Sequence, residues 1–391
     1  MAKLLHKTFN FINENKFASV LIFLTFISSL RILLLPLSGD ELTYAEIARN
    51  IMSRGEYARH GKPSTITPSL PFLIALFYTK FNPVLGFVLA KLTNLLFLII
   101  GLRYLFLFLK KLKLNREVIW ALILLTIVNT NFVVWSLVLY PEAILFCFFW
   151  VFIYYISQDL IKSRDIFFIL ISLGALVLTR YVYAVFGIMV LYVIFNYLKN
   201  LVQKRNYFAI QKIFIFSIIS LLPLLFWFKY VYNLEKEVDT GLSYFARFKN
   251  NEVLYNLKAG IGLIKHYEVG NVNGIPAFIT LFLPITGYRN WILSIILILG
   301  FVIGFISKWK AGPYRKLFIA ILLVMFGLIF AGTGFSRYWL PMLPGYLLGF
   351  YLFFNYLKLK NYQFVLLSKI IAVIYVLNEL RLDVKIFSNH L

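Results

Sequence analysis

The chain has 391 residues, of which 61% are hydrophobic and 14% charged, and its mean hydropathy is +0.83. Soluble domains have roughly 45–50% apolar and about 25% charged residues, so the composition excludes a soluble globular protein and predicts a polytopic membrane protein. The net charge of +23 does not indicate nucleic-acid binding, because its lysines and arginines lie in short segments between apolar runs, as cytoplasmic loops do.

The first apolar run covers residues 17–37 and follows Lys3, Lys7 and Lys16. This run is long enough to span a bilayer, is longer than the usual core of a signal peptide, and ends without a small-x-small cleavage site. We therefore expect a retained first span, with the N-terminus in the cytoplasm. The lone cysteine, Cys147, provides neither a disulfide framework nor a thiolate metal site.

The segment after the first span carries two adjacent carboxylates, Asp40 and Glu41, in a chain with only 16 acidic residues. Over residues 41–54, apolar side chains recur at helical spacing, which predicts an amphipathic helix in the membrane interface. Capping of that helix would by itself explain the acidic pair, because carboxylates are favourable at helix N-termini. An irregular segment and a short apolar helix at about 70–80 complete a predicted extracytoplasmic loop at 38–83.

The remaining apolar runs bring the predicted total to about 11 transmembrane helices. We expect one all-α integral-membrane domain over residues 1–391, with a second large extracytoplasmic loop at 233–289. The predicted spans are 17–37, 84–109, 117–135, 141–157, 166–179, 181–197, 213–232, 290–306, 317–333, 340–357 and 362–379.

Three more charged side chains lie at the predicted outer ends of spans: Glu142 opens the fourth span, and Arg180 and Arg337 lie in later outer turns. Helix capping would explain the carboxylate, and snorkelling into the lipid headgroups would explain the arginines. Together with Asp40 and Glu41, however, five ionisable groups share one depth. This coincidence favours a common cavity, because ionisable groups in membranes usually face a cavity or one another.

Carboxylates and arginines at the outer membrane face suit the transfer of a sugar from a lipid-linked phosphate. A carboxylate can accept a proton from the attacking group, and arginines can bind the leaving phosphate. The same groups would also serve a flippase for lipid-linked sugars or a proton-coupled transporter, and an inactive assembly subunit is a further alternative. Carboxylates suit hard cations, so a divalent metal stays open, whereas the four histidines show no ligand spacing.

The first-loop motif resembles the signature of the GT-C superfamily of membrane glycosyltransferases, which includes the protein O-mannosyltransferases and the lipid A aminoarabinose transferases. This sequence departs from that pattern in having Glu142 where several relatives have Asp, and Thr67 where some have Lys. The segments that carry the resemblance follow one another over residues 30–345: Arg31, Asp40–Arg49, Gly55–Tyr57, Pro68–Leu70, Glu142, Arg180 and Arg337–Pro341.

The resemblance implies a GT-C-like fold and an inverting glycosyltransferase whose donor is a polyprenyl-phosphate-linked sugar. Its acceptor would be a lipid, polysaccharide or protein on the extracytoplasmic face of a bacterial or archaeal plasma membrane. The resemblance implies Asp40 as the catalytic base, with Glu41 in support and Arg337 at the donor phosphate. We further expect Glu142 to be a catalytic residue, Arg180 to bind the phosphate with Arg337, and Tyr44 and Tyr338 to position the donor or acceptor.

Overall fold

A computed structural model of the chain describes residues 35–78, 82–237, 252–265, 274–282, 290–332, 335–358 and 363–389. Most of the first predicted span and Arg31 lie outside these ranges. Regular structure within them is almost entirely helical, which confirms the predicted all-α class. Two short strands, β1 (Ala58–Arg59) and β2 (Lys62–Pro63), pair antiparallel in a hairpin.

The helices are α1 (Asp40–Arg54), α2 (Ser69–Phe77), α3 (Pro83–Lys111), α4 (Arg116–Ile127), α5 (Thr130–Leu137), α6 (Glu142–Ile156), α7 (Ser163–Thr179), α8 (Gly187–Gln203), α9 (Tyr207–Glu237), α10 (Glu252–Gly260), α11 (Ile275–Phe278), α12 (Asn290–Ile306), α13 (Gly312–Phe330), α14 (Ser336–Trp339), α15 (Leu343–Lys358) and α16 (Gln363–Asn389). Short 3₁₀ turns precede α8 (Tyr181–Phe186), follow α11 (Ile279–Leu281) and join α14 to α15 (Leu340–Met342).

The helix α1 is the element that the sequence predicted over 41–54, and it begins with the acidic pair in its first turn. Gly39, just before it, has a φ of 56°, which suits glycine because it has no Cβ. A Cβ there would lie 2.9 Å from the Tyr140 hydroxyl oxygen. At its other end α1 stops at Gly55, whose φ of 71° is the left-handed conformation typical of a helix C-terminus.

Five helical segments of the described ranges are long and apolar enough to cross a membrane, or six if the bent pair α4 and α5 forms one span. The helices α6 and α12 are apolar but shorter than the roughly 20 residues of a typical span. A bend of 62° separates α4 from α5, so the third predicted span is broken. The total of about 11 spans stays a prediction.

The helix α6 lies at the centre of the bundle. Most of its side chains are buried, as expected for a helix that is apolar all round and surrounded by others. It packs against α3 and α7. The indole Nε1 of Trp150 donates to the carbonyl oxygen of Pro341 at 3.1 Å. This bond attaches the turn after α14 to α6, so the segments that carry Arg337 and Glu142 are held together.

Candidate active site

A cavity of about 190 Å³ lies where the N-terminus of α1, the strand β1, the start of α6, the turn after α7 and α14 meet. Four of the predicted site residues line this cavity: Asp40, Tyr44, Arg180 and Tyr338. The structure therefore brings together side chains that are almost 300 positions apart in the sequence.

Asp40 and Arg337 form an ion pair. The Nη2 atom of Arg337 lies 2.6 Å from the Oδ2 atom of Asp40, and the two side chains are 14% and 51% exposed. The guanidinium also lies over the Tyr140 ring, 4.6 Å from its centroid, in a cation–π contact. The Tyr140 hydroxyl in turn accepts a hydrogen bond from the Asp40 backbone N–H at 3.2 Å. Tyr140 thus contacts both members of the pair.

Glu142 lies between the two arginines and is buried. Its Oε1 atom is 3.0 Å from Nη2 of Arg180 and 4.0 Å from Nε of Arg337. The Arg180 guanidinium stacks over the Tyr338 ring, 3.5 Å from its centroid. Oε2 of Glu142 and Nη1 of Arg180 have no hydrogen-bond partner among the described residues. Buried polar atoms are seldom left unpaired, so these two atoms are positions at which a ligand or a water molecule would bond.

Glu41 is buried and does not line the cavity. Its Oε1 atom accepts from the Leu139 N–H at 2.7 Å, and its Oε2 atom accepts from the Ser38 N–H at 2.9 Å. The buried Lys91 ammonium is 4.0 Å from Oε1 and donates to the carbonyl oxygen of Leu35 at 2.8 Å. Because backbone donors occupy both carboxylate oxygens, this geometry fits a residue that positions α1 rather than one that reacts.

Tyr44 lies on α1 and faces the cavity, edge-on to the Tyr140 ring with centroids 6.4 Å apart. Burial raises the pKa of Tyr44 well above its ordinary value, and the negative charge of Glu142 raises it further. The ordinary tyrosine pKa is already about 10, so this hydroxyl stays protonated at neutral pH. The Tyr44 hydroxyl can therefore donate a hydrogen bond into the cavity.

The first loop is fixed to the rest of the bundle through the residues on either side of Arg180. The hydroxyl of Thr67 donates to the Thr179 carbonyl oxygen at 2.8 Å. The Tyr181 hydroxyl donates to the Thr65 carbonyl oxygen at 2.9 Å and accepts from Nε1 of Trp227 at 2.8 Å. These bonds connect the loop with α7 and α9, so the cavity wall is formed by a fixed segment.

Seven of the cavity-lining residues are not among the predicted site residues, and three of these, Thr43, Arg59 and Thr67, are polar or charged residues of the first loop. Thr43 lies three positions after Asp40 on α1, so helical spacing could have identified it. Thr67 stands where some relatives of the resembled family have Lys, and no other sequence feature indicates it. Arg59 lies in the hairpin, where no sequence motif indicates a site residue. Lys62, its partner in the hairpin register, is not among the residues that line the cavity.

Among the residues that the structure describes, no group of three or more His, Cys, Asp and Glu side chains is placed to hold a metal ion. The carboxylates of Asp40 and Glu142 are each paired with an arginine. His60 is exposed, with its Nδ1 atom 3.4 Å from Glu46, and His266 lies outside the described ranges. Dependence on a divalent metal stays open.

No family model matches the chain, and none of the curated proteins matches it. Among solved structures, it is similar to ArnT from Cupriavidus metallidurans bound to undecaprenyl phosphate, with a TM-score of 0.53 and 15% identity over 87% of this chain and 60% of that chain. The apo state of the same protein gives a TM-score of 0.53 and 15% identity, over 88% of this chain and 60% of that chain. The chain thus spans 60% of the length of these ArnT chains. The shared fold confirms the GT-C-like fold that the resemblance predicted.

Proposed function

We propose that the chain is a membrane glycosyltransferase that moves a sugar from a polyprenyl-phosphate donor to an envelope acceptor on the extracytoplasmic face. The observation that carries this proposal is the Asp40 carboxylate at a cavity beside Arg180 and Arg337. The ArnT of similar fold was crystallised with undecaprenyl phosphate, which supports a ligand of the same class here. The acceptor is a lipid, a polysaccharide or a protein.

The two arginines are the proposed binding groups for the donor phosphate. A guanidinium presents parallel N–H donors that match phosphate oxygens, and buried charge-assisted bonds are stronger than neutral ones. Arg180 lines the cavity and has a buried Nη1 atom without a partner among the described residues. Arg337 is held nearby by Glu142 and the Tyr140 ring. Both cations are thus in place before the donor arrives.

The ion pair between Asp40 and Arg337 determines the order of binding in the proposed reaction. Before the donor binds, Arg337 donates to one oxygen of the Asp40 carboxylate, so that oxygen is not free to accept a proton from the acceptor. A donor phosphate competes for the same guanidinium and releases Asp40 from it. The base is then free only when a donor is present, so the donor binds before the acceptor reacts.

The transfer itself is a single displacement at the anomeric carbon. The acceptor oxygen or nitrogen forms a bond to that carbon while its proton passes to Asp40 as general base. The bond from the anomeric carbon to the phosphate oxygen breaks, and its electron pair leaves with the polyprenyl phosphate. The arginines neutralise the charge on that phosphate. Attack from the face opposite the leaving group inverts the anomeric configuration.

Tyr44 and Tyr338 position the bound sugar or acceptor.

Binding of undecaprenyl phosphate to the purified protein in nanodiscs tests the donor site. We expect Arg337→Gln to raise the Kd about tenfold or more, equivalent to at least about 1.4 kcal/mol, because a charge-assisted contact is lost. The matched control is Arg49→Gln, which removes an exposed arginine of α1 outside the cavity. Native affinity in Arg337→Gln, or an equal loss in both variants, would contradict the proposed phosphate site.

A further inference from the structure

The break between α4 and α5 lies within an apolar stretch of the chain. Helix α4 ends at Ile127, and α5 begins at Thr130 with a change in direction of 62°. The first backbone N–H groups of any helix have no partner within that helix. In an apolar environment such groups must find other acceptors, because an unpaired one costs several kcal/mol. The chain therefore needs polar side chains at this break.

Glu379, from the last described helix α16, provides one of these acceptors. Its Oε2 atom accepts from the Thr130 N–H at 2.8 Å, and the Thr130 hydroxyl donates to the Glu379 carbonyl oxygen at 3.2 Å. The side chain is 1% exposed. A negative charge at this end of α5 is also favoured by the helix dipole. The carboxylate thus fixes both the start and the direction of α5.

Asn129 connects the same break to two further segments. Its Oδ1 atom accepts from the Phe132 N–H at 2.9 Å. Its Nδ2 atom donates to the Leu281 carbonyl oxygen and to the Tyr375 hydroxyl, each at 2.7 Å. Helix α16 therefore contacts the break through side chains one helical turn apart, and the turn after α11 contacts it as well.

The helix α5 leads directly into the candidate active site. Its Trp135 ring lies 5.5 Å from the Arg337 guanidinium carbon and is edge-on to Tyr140 with centroids 5.3 Å apart. Just beyond α5, the Leu139 N–H donates to Glu41, and the Tyr140 hydroxyl accepts from Asp40. The direction of α5 therefore sets the surroundings of both Arg337 and Asp40.

We infer that Glu379 is a positioning residue for the active site: it fixes α5 so that Trp135 and Tyr140 hold Arg337 beside Asp40. What the cavity binds rests on the proposed function, whereas the contact between Glu379 and α5 does not. A neutral Gln can still accept the Thr130 N–H through its carbonyl oxygen. An Ala leaves that N–H without this acceptor, and α5 is then free to change direction.

A double-mutant cycle on undecaprenyl phosphate affinity tests this role. We expect Glu379→Ala to raise the Kd about fivefold or more in the native background but less than about twofold in Arg337→Gln, because interacting residues are not additive. Glu379→Gln should stay within about threefold of native, and the exposed α16 variant Arg381→Gln should not change the Kd. Equal losses in both backgrounds, or no loss in the native one, would overturn the inference. If Glu379→Ala does not fold, Glu379→Asp replaces it in the cycle.

Hydrogen exchange separates this inference from the proposed function. If the native protein does not bind undecaprenyl phosphate, the proposed function fails, and Glu379 is tested by the exchange of the α5 amides alone. We expect Glu379→Ala to accelerate exchange over Thr130–Leu137 about tenfold or more relative to α6, with no such change in Glu379→Gln or Arg381→Gln. Unchanged exchange over α5 in Glu379→Ala would overturn the inference.

Discussion

Arg337 has two partners in the proposed cycle: Asp40 before the donor binds and the donor phosphate afterwards. The guanidinium need not leave the site to change partners, because the Tyr140 ring and Glu142 contact it independently of Asp40. The Asp40 side chain is about half exposed, at 51%. An ion pair at such a position contributes only modestly to stability, which makes an exchange with phosphate energetically accessible.

This exchange predicts that Asp40→Asn binds undecaprenyl phosphate more tightly than the native chain does. A neutral Asn neither competes for Arg337 nor repels the phosphate, so we expect the Kd to fall about threefold to tenfold, limited by the exposure of the pair. Isothermal titration in nanodiscs measures this. Glu56→Gln, an equal change of charge at an exposed position outside the cavity, is the control and should leave the Kd unchanged. Weaker binding in Asp40→Asn would argue against a shared arginine.

At the scale of elements, Glu41 joins three parts of the chain. Its carboxylate accepts from Ser38, two residues before α1, and from Leu139, the residue before Tyr140, and it faces the buried Lys91 of α3. Neighbouring residues on a helix point about 100° apart. Asp40 and Glu41 therefore point in different directions, and of the two only Asp40 lines the cavity. The motif thus combines Asp40, the residue proposed for the chemistry, with Glu41, the residue that fixes the position of α1.

We predict that Glu41→Gln lowers the free energy of unfolding by about 2–3 kcal/mol, because buried Lys91 loses its counter-ion and one backbone N–H loses its acceptor. The thermal midpoint in nanodiscs measures this loss. A second substitution, Lys91→Met, removes the buried charge that has lost Glu41 and should restore part of the midpoint. Glu117→Gln, an exposed acid in the first turn of α4, is the control. If Glu41→Gln and Glu117→Gln melt alike, Glu41 does not have this role.

Local patterns predicted the helices well because apolar runs and helical spacing depend on neighbouring residues. The start and end of α1, the short helix α2 and the apolar helices all follow from such patterns. The break between α4 and α5 does not, since residues 117–135 are almost uniformly apolar. Its only local signal is Asn129-Thr130-Asn131, and its partner Glu379 is 249 positions from Thr130.

The sequence predicted only part of the site, because contacts between distant segments leave no local pattern. The sequence predicts three of the site residues, Asp40, Arg180 and Arg337. Charges are rare in this chain, and the motifs of these residues resemble those of a known superfamily. The roles of Tyr140, Arg59 and Trp135 depend on contacts between distant segments. An aromatic residue in a chain with 41 Phe and 25 Tyr carries little information until its partner is known.

At the scale of the whole molecule, the distribution of buried charge favours a transferase over a flippase. A flippase would place charged groups along a path through the centres of its spans. The buried charged side chains of the described ranges instead have local partners. Asp165 accepts from a backbone N–H just before α7, and Glu379 accepts from the first backbone N–H of α5. Glu41 accepts from the Ser38 N–H just before α1. Of the remainder, Lys91 pairs with Glu41, Glu142 pairs with Arg180, and Arg180 lines the cavity.

The proposed activity is tested most directly in a deletion strain that is complemented with the native chain or with Asp40→Asn. Mass spectrometry of the envelope glycolipids, polysaccharides and glycoproteins is the measurement, with equal membrane levels of both chains verified and with Glu56→Gln as the control. We predict that one sugar modification is lost on deletion and is restored by native and Glu56→Gln chains but not by Asp40→Asn. Full restoration by Asp40→Asn would contradict the assignment of Asp40 as the base. Unchanged glycans, with lipid-linked sugar accumulating on the cytoplasmic face, would contradict the transferase itself.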